Sequence, residues 1–250
     1  MLTEERFAEI LKIVEEKKTV TVAELTALLR TSESTIRRAL MQLDKRGKLK
    51  KVHGGATVLE LSFATTDPEI ELRYNWNRNE KVAIAKYASM LIEPHDFVFI
   101  DAGTTTELVA DYIIERNATY VTNSMEHGRK LVHKGCKTYI LGGELKAVTE
   151  ATVGAETIEE LNRFNFTKGF FGVNGINLKL GFTTPEISEA MVKMKALKNC
   201  FNPYILSDSS KFGKISSVSF GKFKDAIIIT TAVKYDEFKK CKNIIEVSFD

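Results

Sequence analysis

One strongly basic run, Ser34 to Ala56, most limits what this chain can be. It holds seven Lys or Arg, at 37, 38, 45, 46, 48, 50 and 51, against a single acid, Asp44. Its first half has helical spacing, with Ile36, Ala39, Leu40 and Leu43 on one face and Arg37, Arg38, Met41 and Gln42 on the other. Ser32 or Ser34 suits the N-cap, and Gly47 stands where a helix end favours a residue tolerant of positive φ. Beyond Gly47 the pattern predicts a short strand, a turn at His53-Gly54-Gly55, and a second strand from Ala56 to Leu59. A basic helix followed by a basic hairpin matches a major groove and its flanking phosphates. The run is therefore expected to be the recognition helix and wing of a winged helix-turn-helix.

The preceding residues complete that unit. Phe7, Ile10, Leu11 and Val14 repeat at helical spacing within 3–17. Thr21-Val22-Ala23-Glu24 is a capping box opening a second helix through Leu25, Leu28 and Leu29. Residues 1–59 thus make a DNA-binding domain of three helices and a hairpin. Residues 1–56 carry 12 Lys/Arg against 8 Asp/Glu, a balance of +4, while the other 194 carry 24 against 25, a balance of −1. The surplus of positive charge belongs to the head, as nucleic-acid binding requires. The plainer alternative is a helical packing module with a solvated basic face. Ser34, Thr35, Arg37 and Arg38 are the candidates for base edges or phosphates, and Lys50, Lys51, His53 and Gly54 for the flanking strand.

At 250 residues, with 44% hydrophobic and 28% charged, the chain is expected to be soluble and to form one or two domains. It contains no run of 18 apolar residues, which excludes a membrane-spanning helix on length, and its N-terminus lacks the apolar core of a signal peptide. Cys136, Cys200 and Cys241 are too scattered for a CxxC site or a disulfide framework. A cytoplasmic protein with no membrane partner is expected.

Over 60–79 the period lapses amid Pro68, Thr, Asn and charge, so a linker is expected, although Leu61, Phe63, Tyr74 and Trp76 are costly to leave in water. From 80 to 250 helices over 80–92, 107–115, 126–132, 157–161, 185–200 and 235–239 alternate with apolar strands over 97–100, 119–121, 138–141, 169–173, 204–206, 226–230 and 244–247. That alternation predicts an α/β sensor domain with a mainly parallel sheet.

The residues just past the strands carry the chemistry. Five strands lead into Asp101 to Thr106, Thr122-Asn123-Ser124, Gly142-Gly143-Glu144, Asn174-Gly175, and Ser207 to Lys211. These ends lie along one edge of a parallel sheet, where open α/β folds bind ligands. The residues suit a phosphorylated polyol. Gly103 lets the chain turn, and Thr104, Thr105 and Thr106 present hydroxyls and N–H groups at a helix start, an anion site by geometry and dipole. Asp101, Asn123, Glu144 and Asp208 offer acceptors to sugar hydroxyls, and Lys211 a positive charge. His95, His127 and His133 have no metal-ligand spacing and are expected to be surface or capping residues; with no P-loop and no GxGxxG, neither metal nor cofactor is expected.

The motifs together resemble the DeoR/GlpR family of bacterial sugar-metabolism repressors over nearly the whole chain. In the head these are Arg6, Ile10, Val14, Ser32, Thr35-Ile36-Arg37-Arg38-Ala39-Leu40 and Val52-His53-Gly54-Gly55-Ala56. In the rest they are Asn79-Glu80-Lys81, Asp101-Ala102-Gly103-Thr104-Thr105, Val121 to Ser124, Gly142-Gly143-Glu144, Glu189, Lys193 and Asp208 to Phe212. One departure is Ala39, where the family has an Asp that would pair with a neighbouring basic residue and help to position Arg37 or Arg38. The resemblance implies a sensor domain similar to ribose-5-phosphate isomerase and CoA-transferase-like folds, bound to a sugar phosphate and no longer catalytic. It also implies a homodimer or homotetramer released from operator DNA by its effector. VTNS, TTPEISEA and DSSKFGK resemble the fructose-operon branch, whose effector is fructose 1-phosphate, more than the galactose and tagatose branch. The alternative function is an active sugar-phosphate isomerase or deaminase with an appended head, in which Asp101, Glu144, Glu186 or Asp208 would act as general base.

Overall fold

The computed structural model describes residues 3–17, 19–46, 48–57, 63–64, 70–147, 149–233 and 235–248. It divides into two units, Met1–Ser62 with Lys234–Lys240, and Phe63–Val233 with Cys241–Asp250. The first begins with α1 (Thr3–Lys17), β1 (Thr19–Thr21), α2 (Val22–Leu29), α3 (Glu33–Lys45), β2 (Lys50–Val52) and β3 (Gly55–Thr57). The capping box is present: Glu24 N donates to Thr21 Oγ1 (3.1 Å) and Thr21 N to Glu24 Oε2 (2.8 Å). Ser32, rather than Ser34, caps α3. Gly47 lies outside the described residues. Ile36, Ala39, Leu40 and Leu43 are buried against Phe7, Ile10, Val14 and Leu25. Truncating the fully buried Leu40 to Ala in so small a core would cost about 2–5 kcal/mol.

The wing has a strand that the sequence did not reveal. β1 pairs antiparallel with β3, which pairs antiparallel with β2. Three residues are too few to show a period. The second wing strand starts at Gly55 instead of Ala56, and residues 58 and 59 lie outside the described part. Gly54 turns at φ 83°, and a Cβ on Gly55 would lie 2.1 Å from the Val20 carbonyl oxygen. The His-Gly-Gly turn therefore combines a left-handed residue with a close backbone approach. Ala39 is 3% exposed, so position 39 faces the core and not the exposed side where Arg37 and Arg38 stand.

The chain continues through β4 (Phe63–Ala64), α4 (Ile70–Asn75), α5 (Arg78–Met90), β5 (Phe97–Ile100), α6 (Thr104–Tyr112), β6 (Thr119–Thr122), α7 (Met125–His133), β7 (Lys137–Ile140), β8 (Glu144–Leu145), β9 (Thr152–Val153), α8 (Ala155–Leu161) and β10 (Phe166–Gly172). Next come β11 (Gly175–Asn177), β12 (Gly181–Thr184), α9 (Ile187–Lys198), β13 (Cys200–Leu206), a 3-10 turn at Ser209–Lys211, β14 (Ile215–Ser216), β15 (Val218–Gly221), β16 (Ile227–Thr230), α10 (Asp236–Lys239) and β17 (Ile244–Glu246). The linker expected over 60–79 is corrected by this course. β4 pairs in parallel with β14, α4 is a helix, and α5 begins at Arg78, so the second unit takes in most of that segment. Its polar composition hid contacts made through single side chains.

Seven strands form one sheet in the order β17-β16-β13-β10-β5-β6-β7, every neighbouring pair parallel. Val98, Ile100, Tyr120, Phe170, Leu206 and Ile229 fill the core with Ile84, Ala85 and Ala88 of α5 and Val109 of α6. Buried strands of this kind read as continuous apolar runs, which is why the sequence revealed them. The small antiparallel sheet β11-β12-β15 and the β8–β9 pair were missed, being two to four residues per strand. After β5 the chain moves outward through β6 and β7. After β10, which lies beside β5, it moves outward the other way. The strand order reverses between β5 and β10, and the crevice at their C-terminal ends is where such sheets bind ligands. Among the described residues no helix is long and apolar enough to cross a membrane.

Candidate functional site

Asp101 stands one residue past β5, at that reversal, and is 1% exposed. Its Oδ2 accepts from Gly172 N at the end of β10 (3.0 Å) and is ion-paired with Lys193 Nζ from α9. Lys193, also buried, donates to the Gly172 carbonyl (3.3 Å) and lies 5.6 Å from the centroid of Phe220. Burial pushes the Asp101 carboxyl up, against the pull of the Lys193 ammonium. Asn123, past β6, accepts from Ala102 N (2.9 Å) and donates to the Thr152 carbonyl (3.3 Å), tying three strand ends together. Thr122 Oγ1 accepts from Ser124 N (3.1 Å), and Ser124 caps α7.

A cleft opens beside this point. Thr104 and Thr105 of α6 line it with Asp208 and Lys211 from the turn that follows β13, and with Arg73, Asn77 and Lys81. α6 begins at Thr104, three residues before the sequence pattern placed it, so all three threonines lie in its first turn. Its N-cap, Gly103, gives no side-chain cap, which leaves first-turn N–H groups for an anion. Lys81 is 4% exposed; it donates to Thr104 Oγ1 (3.0 Å) and to the Arg73 carbonyl. Burial pulls the Lys81 ammonium down to about 8; Asp208 opposes this, and the charges of Lys211, Arg73 and Arg78 add to it. Burial would raise the Asp208 carboxyl, but Lys211 and hydrogen bonds from Ser210 and Asn77 (2.9 Å from Nδ2) hold it below the usual range. Glu80 fastens the floor, accepting from Ser209 N (2.8 Å), Ser209 Oγ (3.1 Å) and Thr231 Oγ1 (2.5 Å).

The other residues chosen from sequence hold loops in place. Thr106 Oγ1 donates to the Gly103 carbonyl (2.8 Å). Gly142 N donates to Glu160 and its carbonyl accepts from Thr157 Oγ1 (3.0 and 2.6 Å). Gly143, at φ 133°, could not carry a Cβ, which would lie 2.5 Å from the Val153 carbonyl oxygen. Asn174 Oδ1 accepts from Thr184 Oγ1 (3.1 Å). Glu144 is exposed on β8 and does not line the cleft. His127 corrects the expectation of a surface or capping histidine: it is 1% exposed, bonded to the Gly103 backbone, and burial drives its imidazole down to about 3.

Lys81 and Lys193 were absent from the residues chosen at strand ends, yet both carry a readable signal. Lys81 sits on the apolar stripe of α5 at the spacing of Ile84, Ala85 and Ala88. Glu189 and Lys193 lie likewise on the buried stripe of α9, among Ala190, Val192, Ala196 and Leu197. A charge at a core position of a helix is stable only with a partner. Lys193 has Asp101, and Glu189 accepts from Lys146 (3.2 Å) and Thr149 (3.0 Å).

On the head, Ser34, Arg37, Arg38, Lys50, Lys51, His53 and Gly54 are exposed, and Thr35 is half-buried with Oγ1 2.9 Å from Ser32 Oγ. Arg37 meets Glu33 at 3.1 Å in an exposed pair that screening makes weak. Asp44, the one acid of the basic run, accepts from Lys51 N (2.9 Å) and so fixes the wing to the end of α3.

Two family models match the chain: the DeoR-like helix-turn-helix domain over residues 6–61 and the DeoR C terminal sensor domain over residues 76–232. The chain belongs to the DeoR family. It is 39% identical over 251 residues to the Bacillus subtilis (strain 168) protein named Uncharacterized HTH-type transcriptional regulator FruR, with 99% of each chain covered. It is 33% identical to the lactose phosphotransferase system repressor of Staphylococcus aureus (strain NCTC 8325 / PS 47), covering 96% of this chain and 95% of that one. Membership of a family of DNA-binding regulators sets aside the reading of an enzyme with an appended head. Solved structures with partial likeness include ribose 5-phosphate isomerase A from Methanocaldococcus jannaschii (TM-score 0.41, 14% identity, 54% of this chain and 55% of that). Another is the sorbitol operon regulator SorC of Klebsiella pneumoniae (TM-score 0.38, 9% identity, 82% and 88%). At these scores neither bears on function.

Proposed function

We propose that the protein represses a sugar-catabolism operon and leaves its operator when a phosphorylated sugar, fructose 1-phosphate first among candidates, fills the cleft. The cleft's charge carries this reading. Lys81, Lys211 and Arg73 line the cleft with one carboxylate, Asp208, beside an uncapped helix N-terminus, and a buried lysine among other cations favours an anion with two charges. Asp208, Asn77 and the hydroxyls of Thr104 and Thr105 line the cleft and meet the sugar, and Arg37, Arg38, Thr35, Lys50 and Lys51 take the DNA. The protein works in the cytoplasm as a homodimer or homotetramer whose paired heads read repeated half-sites. The names of the regulators to which the chain is similar support this assignment.

Fluorescence anisotropy at fixed salt tests it, using DNA from upstream of the protein's own operon with a panel of sugar phosphates. Operator binding that one compound weakens by about 10- to 100-fold is expected. Lys211→Ala or Thr105→Ala is expected to bind DNA normally and ignore that compound. An affinity equal to that for random DNA would end the repressor reading, and normal induction of Lys211→Ala would end the cleft assignment.

A further inference from the structure

Among the residues expected to form a linker, Arg73, Trp76 and Asn77 line the cleft. Bonds to distant parts of the fold hold this stretch. The Arg73 carbonyl accepts from Lys81, Asn77 Nδ2 donates to Asp208 Oδ1, and Tyr74 OH donates to Glu107 on α6. Asn77 has φ 51°, in the left-handed region, yet its side chain does not cap the helix it opens. It reaches Asp208 instead, 131 residues further along the chain. Two of the anchoring groups, Lys81 and Asp208, are charges that an incoming dianion would attract or repel. Trp76, the chain's single tryptophan, is 49% exposed at this wall, an apolar plane open to water.

From this arrangement we infer that Arg73, Trp76 and Asn77 form the sensing wall of the effector cleft. A phosphate monoester held by Lys81, Lys211 and the start of α6 lays its carbon chain on the Trp76 indole and reassigns the charges that latch Asn77. This stretch precedes the sheet and comes after the head in sequence, so occupancy passes to the head along the main chain, while Tyr74 couples the wall to α6. The inference rests on the proposed effector site and names the part of it that responds.

The experiment uses the full chain, with Trp76 emission and DNA anisotropy read in parallel against fructose 1-phosphate, other sugar monophosphates and inorganic phosphate. A saturable change in Trp76 emission is expected, with a midpoint within about threefold of that for DNA release. Tyr74→Phe is expected to keep its DNA affinity and the emission change while needing about tenfold more ligand for release. DNA release with Trp76 emission unchanged overturns the wall and leaves the repressor reading intact. An emission change without DNA release keeps the ligand against Trp76 but overturns the passage of occupancy to the head, and with it release by that ligand. If no probe alters the emission at up to roughly 10 mM, far above the Kd of a specific site, the wall is overturned. Release by Tyr74→Phe at wild-type concentrations overturns the coupling through Tyr74.

Discussion

Lys193 and Asp101 are ion-paired and nearly water-free at the point where the strand order of the large sheet reverses. The pair joins α9 to the ends of β5 and β10, since Asp101 also accepts from Gly172 N and Lys193 donates to the Gly172 carbonyl. Such a pair adds little net stability against an apolar replacement, but losing one partner strands a charge in the core.

Lys193→Met is therefore expected to lower the unfolding free energy by about 3–5 kcal/mol, and the double variant Asp101→Leu/Lys193→Met to recover most of that loss. Urea denaturation monitored by circular dichroism measures both. Equal destabilisation of the single and double variants would mean that the two side chains are not coupled.

The pair also marks what the sequence showed and what it withheld. Asp101 was legible because it ends an apolar run and Lys193 because it is a charge on a buried stripe, but their pairing was not, because 92 residues separate them and only the fold brings them together. The head was legible almost residue by residue, since caps, apolar faces and the His-Gly-Gly turn are local. Residues 73–77 were misjudged as linker because they are held by individual long-range bonds, such as Tyr74 to Glu107 and Asn77 to Asp208, which leave no period in the sequence. Gly142, Gly143 and Asn174 matched a ligand-binding composition, yet the bonds they make are structural, which composition cannot separate from ligand contacts.

The wing offers a second test. Lys50 and Lys51 are exposed, and Lys51 is placed by its own N–H bond to Asp44, so both suit phosphate contacts carrying no sequence information. Replacing both with Ala is expected to reduce the slope of log K against log salt by about 2, and to weaken operator and random DNA alike. Arg38→Ala is expected instead to weaken the operator by about 1–3 kcal/mol more than random DNA. Anisotropy titrations at several salt concentrations separate the two, and an unchanged salt slope in the double variant would remove the wing from the interface.

Lys81 makes effector binding pH-dependent. Its ammonium, brought down to about 8 by burial, is charged below that pH and neutral above it. A phosphate monoester becomes a dianion above pH ~6. Both charges are present between about pH 6 and 8, so affinity is greatest there. Above pH 8 it falls by up to about tenfold per pH unit, because binding must then take up a proton. Lys81→Met is expected to bind weakly throughout and to lose the alkaline fall. Titration calorimetry from pH 6 to 9 gives the profile, and a wild-type affinity level from pH 7 to 9 would exclude Lys81 from contact with the phosphate.

His127 predicts the opposite limb, in stability instead of binding. Buried and bonded to the Gly103 backbone, its imidazole is held neutral down to about pH 3, whereas in the unfolded chain it takes up a proton near pH 6.5. Between those values the unfolded state binds more protons, so unfolding free energy rises with pH and is lost as pH falls, by about 1 kcal/mol from pH 6 to 5. Asp96 and Asp208, both held below the usual carboxylate range, contribute stability that is lost only below about pH 4, and Asp101, whose carboxyl burial raises, acts in the opposite sense in both proteins, so the difference between wild type and variant isolates His127. His127→Asn is expected to flatten the slope between pH 6 and 5, whatever it costs in absolute stability. Urea midpoints of the two proteins at both pH values decide it. An equal slope in both would mean that the imidazole can gain its proton without leaving the Gly103 loop. A slope lost in the variant would show that the neutral, buried imidazole is what makes the fold acid-sensitive in this range.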